Sequence, residues 1–159
     1  MENAKKLLGT YVAFLRSLYL LHQNHHWQTN GLDFYGNHLL FQRIYESAQE
    51  NADDAAEKAV GLCGCDCIDL APQILLINTI LKKYAINTKN CEPIKFIQAS
   101  LQAEEDFLKF SEKIYNSLKE KNQITLGLDD MLMSIANKRE GSVYLLKQIL
   151  LNKELKEKL

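Results

Sequence analysis

The chain has 159 residues, 47% hydrophobic and 25% charged, with a net charge of −1; this is enough for one domain, 1–159, with a real core. The near-neutral balance argues against bulk electrostatic binding of nucleic acid, which needs a basic face or tail, and no stretch is apolar enough to cross a bilayer. "MENAKKLLGTYV" lacks the apolar core and cleavage site of a secretory signal, so a cytoplasmic protein is expected.

Helical periodicity dominates, and no strand alternation stands out. Leu8, Tyr11, Leu15, Leu18 and His22 recur at three-four spacing, which predicts a first helix reaching at least about Trp27. "TNGLD" breaks it: Asn30-Gly31 makes a turn and Asp33 serves as N-cap. A second helix is predicted from about Asp33 to Leu62. At 100° per residue its core face is Leu40, Phe41, Ile44, Ala48, Ala52, Ala55, Ala59 and Leu62. A separate arc carries His38, Gln42, Glu46, Asp53 and Glu57. That arc is either an ordinary solvated face or a functional one, and it holds no basic residue.

"GLCGCDCIDLAPQ" reads as a loop. Its Cys63, Cys65 and Cys67, with Cys91, are expected to be free thiols, because the spacing is not that of common zinc sites. Pro72 starts a short helix over about 72–82, and Pro93 opens a long one to about Lys121. On that third long helix Ile94, Ile97, Leu101 and Leu108 form a stripe that includes Glu104 and Glu105. A fourth is predicted over about Asp129–Leu151, with Arg139 on the stripe of Leu132, Ile135, Val143 and Leu146. The last two long helices flank a short turn and pack antiparallel, which places Arg139 near Glu104 or Glu105 as a buried or half-buried ion pair; a metal role for these acids is the alternative. The expected fold is all-α: a four-helix bundle with a short extra helix in the long crossover between the second and third helices.

All four histidines, His22, His25, His26 and His38, fall within 17 positions. Imidazole with carboxylate suits a divalent metal such as Fe(II), Zn or Mn. His22 pairs at helical spacing with His25 or His26 and either pair would chelate. Equally, His22 continues the apolar seam as a hydrogen-bonded core residue, and His25 is a surface residue beside it. The Glu-x-x-His pair of an ordinary di-iron bundle is absent.

The stretch "HHWQTNGLDFYGNHLLFQRIYESAQENADDAAEKAVGL" resembles the signature of the Dps family, the mini-ferritins. Its marks are His26-Trp27, Gly31, Phe34, His38 twelve positions after His26, and the pair Asp53 and Glu57. "LDDMLMSIANKREGSVYLLKQIL" resembles the family's last helix. The resemblance implies a ferritin-like fold and a hollow shell of twelve identical subunits. It implies oxidation of Fe(II) by hydrogen peroxide or O2 and storage of the ferric product, which protects against oxidative damage. The family's site lies between two subunits. His26 and His38 of one would face Asp53 and Glu57 of the other, with Trp27 as electron donor or radical quencher, or simply as interface packing. Gln42 stands where many members have an acid, which weakens the second iron position; His22 is a further weak candidate ligand. Asp130, and with it Asp129, match the acids that line the family's pores, and both also complement a helix dipole. The lysine-rich tail of the DNA-binding members has no counterpart in the short N-terminal arm or the mixed charges of "LNKELKEKL". Two rival functions stand beside this one. One is a mononuclear metal hydrolase or thiol transferase using three of the histidines, and the other a non-catalytic, DNA-compacting assembly.

Overall fold

The computed structural model describes residues 2–89 and 92–156, with side chains as far as residue 151. Five α-helices account for most of them: α1 (Glu2–Gln28), α2 (Phe34–Cys63), α3 (Leu70–Lys82), α4 (Pro93–Glu120) and α5 (Leu126–Lys156). A 3-10 turn, Cys65–Ile68, precedes α3, and no strand occurs among the described residues. None of these helices is long and apolar enough to cross a membrane.

Contacts fix the direction of each long helix. On the facing sides of α1 and α4, Tyr11 meets Phe107 and Ser111, while His22 meets Ser100 and Glu104. The two helices are therefore antiparallel. α5 runs against α2 in the same sense, with Gly127 beside Lys58 and Arg139 beside Ser47. Since α1 and α2 form a hairpin, α2 and α4 point the same way. The chain between them must travel the length of the bundle, which is what the long crossover does: this is the ferritin-like four-helix bundle.

The crossover is held at both ends. The buried Gln73 side chain of α3 donates to the Gly9 carbonyl of α1 at 2.8 Å. Gly9 is glycine for a steric reason, because a Cβ there would sit 2.4 Å from the Cys67 carbonyl oxygen. At the far end Lys83 and Tyr84 reach Asp106 of α4, at 2.6 and 3.0 Å. Cys63, Cys65 and Cys67 are free thiols, as expected; Cys91 and the last residues of the C-terminal segment lie outside the described residues.

The core face expected for α2 holds at Phe41, Ile44, Ala48, Ala52, Ala55 and Ala59, all buried; Leu40 is half-buried and Leu62 exposed. Small alanines along α2 let α1 approach closely, and larger side chains such as Leu8, Tyr11, Leu15 and Leu18 fill the space. Each large apolar side chain so buried contributes about 1.5–3 kcal/mol. The stripe on α4 needs correction. Its buried face is Phe96, Ile97, Ser100, Ala103, Glu104, Phe107, Ser111, Ile114 and Leu118, while Ile94, Leu101 and Leu108 sit half-buried at its margin. Three helix ends also differ. α3 starts two residues before Pro72, and α5 runs from Leu126 to Lys156, longer at both ends than 129–151. The Thr125 hydroxyl accepts the Leu128 N–H at 3.2 Å and caps α5 there.

Candidate metal centre

The four histidines form two pairs with different surroundings. His22 and His25 point into the bundle. His22 is fully buried and His25 is 3% exposed, so the surface reading of His25 is overturned. Both meet the Ser100 hydroxyl, His25 Nδ1 at 2.8 Å and His22 Nδ1 at 3.1 Å. The other nitrogen of His22, Nε2, lies 2.8 Å from Glu104 Oε1, which also accepts from Arg139 at 3.1 Å. Glu104 and Arg139 are fully buried. Arg139 reaches on to the Ser47 hydroxyl and the Ile44 carbonyl.

One assignment of protons satisfies this chain. Glu104, paired with Arg139, accepts from His22 Nε2–H. His22 Nδ1 then accepts from the Ser100 hydroxyl, whose oxygen accepts from His25 Nδ1–H. Burial between the rings of Phe41 and Phe96 pushes His25 down to about 3, and the neighbouring His22 adds to the shift. His25 is therefore neutral at ordinary pH. The expected ion pair of Arg139 is with Glu104; Glu105 is half-buried and pairs with Lys147 at 2.7 Å. Both ring nitrogens of His22 are engaged in hydrogen bonds inside the bundle.

His26 and His38 lie at the turn end of the α1–α2 hairpin. The turn places the last residues of α1 beside the first of α2, and Gly31, at φ +85, makes that turn in a region that favours glycine. The Asp33 backbone occupies the N-cap position without a capping side-chain bond. The two imidazoles stack, ring centroids 3.7 Å apart and planes at 23°. Each binds the other's backbone: His26 Nδ1–H donates to the His38 carbonyl at 2.8 Å, and His38 Nδ1–H to the His26 carbonyl at 3.0 Å. The His26 carbonyl is open to this bond because α1 ends two residues later, leaving its final carbonyls without helical donors.

Since a carbonyl only accepts, Nδ1 must carry the proton on both rings. In the neutral forms both Nε2 lone pairs are then left for a metal, and the backbone bonds hold tautomer and orientation, as metal-binding imidazoles require.

The acids lie elsewhere. From His38 to Asp53 is 15 residues of one helix, about 22 Å, and to Glu57 about 28 Å. A metal–ligand bond is about 2 Å, so one chain cannot close a site from both halves. Asp53 opens into a cleft with Arg16, Tyr19 and Glu46, and Glu57 into a neighbouring one with Asp54, Lys58 and Asp130. Both acids are exposed in the single chain, and Asp129 is half-buried. Gln42 donates to Glu46 at 2.8 Å. Trp27 is 66% exposed and, among the described residues, stacks on neither imidazole. No three His, Cys, Asp or Glu side chains converge within the described residues of one chain. The three-histidine centre of the hydrolase reading is thus not assembled.

No protein-family model matches the chain. Among curated proteins it is similar to the nutrient stress-induced DNA-binding protein of Nostoc sp., 33% identical over 57 residues, 36% of this chain and 31% of that protein. The protein of the same name from Synechococcus sp. is 35% identical over 57 residues, 36% and 32% of the two chains. The matched stretch thus spans about a third of these relatives. The solved structures agree over nearly the whole chain. Dps from Thermosynechococcus elongatus superposes with a TM-score of 0.78 at 20% identity, covering 94% of this chain and 90% of that one. The high-iron form of Dps from Microbacterium arborescens gives 0.75 at 20%, covering 94% and 93%. A Dps protein from Bacillus brevis gives 0.76 at 22%, covering 92% and 94%. The resemblance to the Dps family holds for the fold: this is the Dps-type, ferritin-like bundle with its extra helix in the crossover.

Proposed function

We propose that this chain, folded as a Dps-type bundle, is a ferroxidase and iron store whose metal centre is completed only between two copies. The observation that carries the reading is the reciprocal clamp of His26 and His38, which holds Nδ1 of both rings to backbone carbonyls and leaves both Nε2 atoms oriented at a hairpin corner. A clamp of this kind suits a borderline cation such as Fe(II). Two imidazoles alone leave the cation's charge unneutralised. The carboxylates of Asp53 and Glu57 are displaced along α2 by a distance that a two-fold related copy can span. In an isologous pair each corner would receive the partner's acids, giving two equal sites.

Iron is then the substrate. The imidazoles of one copy and the acids of the other bind Fe(II), and the carboxylates offset the added charge as it becomes Fe(III). Hydrogen peroxide, or O2, takes the electrons, and the ferric product is stored in a shell of twelve subunits in the cytoplasm. Asp130 shares a cleft with Glu57, which supports a path for Fe(II) along acidic groups towards the site. Gln42, a neutral amide held by Glu46, supports a weak second iron position. Binding of DNA is not part of this reading, although the curated relatives carry that name; the net charge is −1.

The test is Fe(II) oxidation by peroxide, followed by ferric absorbance, with the particle mass measured alongside. Glu57→Gln is expected to assemble like the parent and oxidise iron far more slowly. Unchanged oxidation in that variant overturns the assignment, and a monomeric parent protein overturns the shared site.

A further inference from the structure

The ring contacts at the hairpin corner extend beyond the imidazole pair. On one side Phe34 leans on His38, centroids 5.0 Å apart. On the other, His26 meets Tyr45 edge-on, at 5.3 Å and 73°. Tyr45 in turn meets Tyr19 at 6.2 Å and 61°. Spacing explains the row. Tyr45 lies seven residues after His38 on α2, and Tyr19 seven residues before His26 on α1, so each pair shares a helix face. The two faces oppose each other across the hairpin. Tyr19 also lines the cleft that holds Asp53. Both tyrosines are half-buried.

We propose that Tyr45 is an electron donor to this site, supplying one electron and its phenolic proton to peroxide when a single Fe(II) is bound, with Tyr19 as the next residue along the path. The proposal rests on the ferroxidase reading. Peroxide needs two electrons to become two waters, and one Fe(II) supplies one. Gln42 brings no negative charge to the position where a second iron would sit, and its amide is turned to Glu46. A singly loaded site must therefore draw the second electron from the protein or release hydroxyl radical.

The step balances. Fe(II), hydrogen peroxide, the Tyr45 phenol and one solvent proton give Fe(III), two waters and the Tyr45 phenoxyl radical. The O–O bond and the phenolic O–H bond break. One electron comes from iron and one from the phenol, and the phenolic and solvent protons end on the waters. A second Fe(II) and a proton then restore the phenol, giving a second Fe(III).

Position favours Tyr45 over Trp27 for this role. The phenol ring meets the His26 imidazole edge-on, whereas Trp27 is 66% exposed and in none of the ring contacts among the described residues. The edge-on contact gives the electron a short path through one ring pair.

The experiment is rapid-freeze electron paramagnetic resonance on the full-length protein after mixing with one Fe(II) per subunit and equimolar hydrogen peroxide. Hydroxyl radical is spin-trapped in parallel. The parent is expected to show a phenoxyl signal that narrows when ring-deuterated tyrosine is incorporated. Tyr45→Phe is expected to lose that signal and release more trapped hydroxyl radical per iron oxidised; Trp27→Phe is expected to keep it. An indolyl signal lost in Trp27→Phe, a phenoxyl signal surviving in Tyr45→Phe, or iron oxidation with no protein radical overturns the proposal. Absence of any iron oxidation in the parent overturns the ferroxidase reading itself, and the absorbance trace separates that failure from the others.

Discussion

Replacing Arg139 with methionine keeps much of the side-chain volume and removes the cation from the centre of the bundle. The carboxylate of Glu104 then keeps His22 and Ser100 behind it but has no countercharge, and its Oε2 has no hydrogen-bond partner to begin with. At the observed 3.1 Å and an effective dielectric constant of 20, the pair interaction is about 5 kcal/mol. Removing one partner of a buried pair leaves the other uncompensated, so about 3–5 kcal/mol of stability should go with Arg139→Met. Glu104→Gln alone strands the arginine and should cost a similar amount. In Glu104→Gln/Arg139→Met no buried charge remains, and the glutamine oxygen still accepts from His22. The double variant should therefore recover about 2 kcal/mol or more relative to the sum of the singles. The assay is equilibrium urea unfolding at fixed protein concentration, which holds any effect of association constant. Additivity within about 0.5 kcal/mol would show that the two groups are not coupled and refute the argument.

Two further predictions come from the interior. His25 is held down to about 3 in the fold and titrates near 6.5 when unfolded, so between these values the unfolded chain binds the extra proton. Its contribution is complete above about pH 6.5 and falls by up to about 1.4 kcal/mol per unit as the pH drops towards 3. His25→Gln keeps a donor for Ser100 without titrating; from pH 7 to 5 it should lose about 2 kcal/mol less than the parent in urea unfolding, and parallel losses would exclude His25 as the cause. Gly9→Ala gains helix propensity but drives a Cβ against the Cys67 carbonyl oxygen. A net loss of about 1–2 kcal/mol is expected, and a raised urea midpoint would show that the crossover yields easily.

The bundle and its crossover were legible because the apolar three-four spacing of α1 and α2 is long and unbroken, and because Pro93 marks a helix start. The face of α4 was not, since Ser100, Glu104 and Ser111 are polar residues turned inward, and hydropathy centred the stripe on Ile94, Leu101 and Leu108 instead. The same polar face is why His25 was misplaced. Its partner Ser100 lies 75 positions away, and no local spacing reports that contact. His26 and His38 could be found because their twelve-residue separation brackets a tight turn. Their mutual backbone bonds were invisible to a residue pattern, which carries no information on which carbonyls a helix end leaves open. Tyr45 and Tyr19 were missed for want of a pairing rule, although the seven-residue offsets from His38 and His26 were available. α5 starts at Leu126 rather than Asp129 because the Thr125 hydroxyl caps it, ahead of the acids that also suit a first turn.

In the proposed assembly each metal centre takes its imidazoles from one copy and its carboxylates from another. Co-refolding His38→Ala with Asp53→Asn/Glu57→Gln tests this by measuring peroxide-driven Fe(II) oxidation in the mixed assembly. Each variant alone lacks half of every site. In a mixed two-fold pair one of the two sites regains both halves, so random pairing should restore about a quarter of the parent's sites. Recovery to that level is the predicted result; a mixture no more active than its separate components would contradict it.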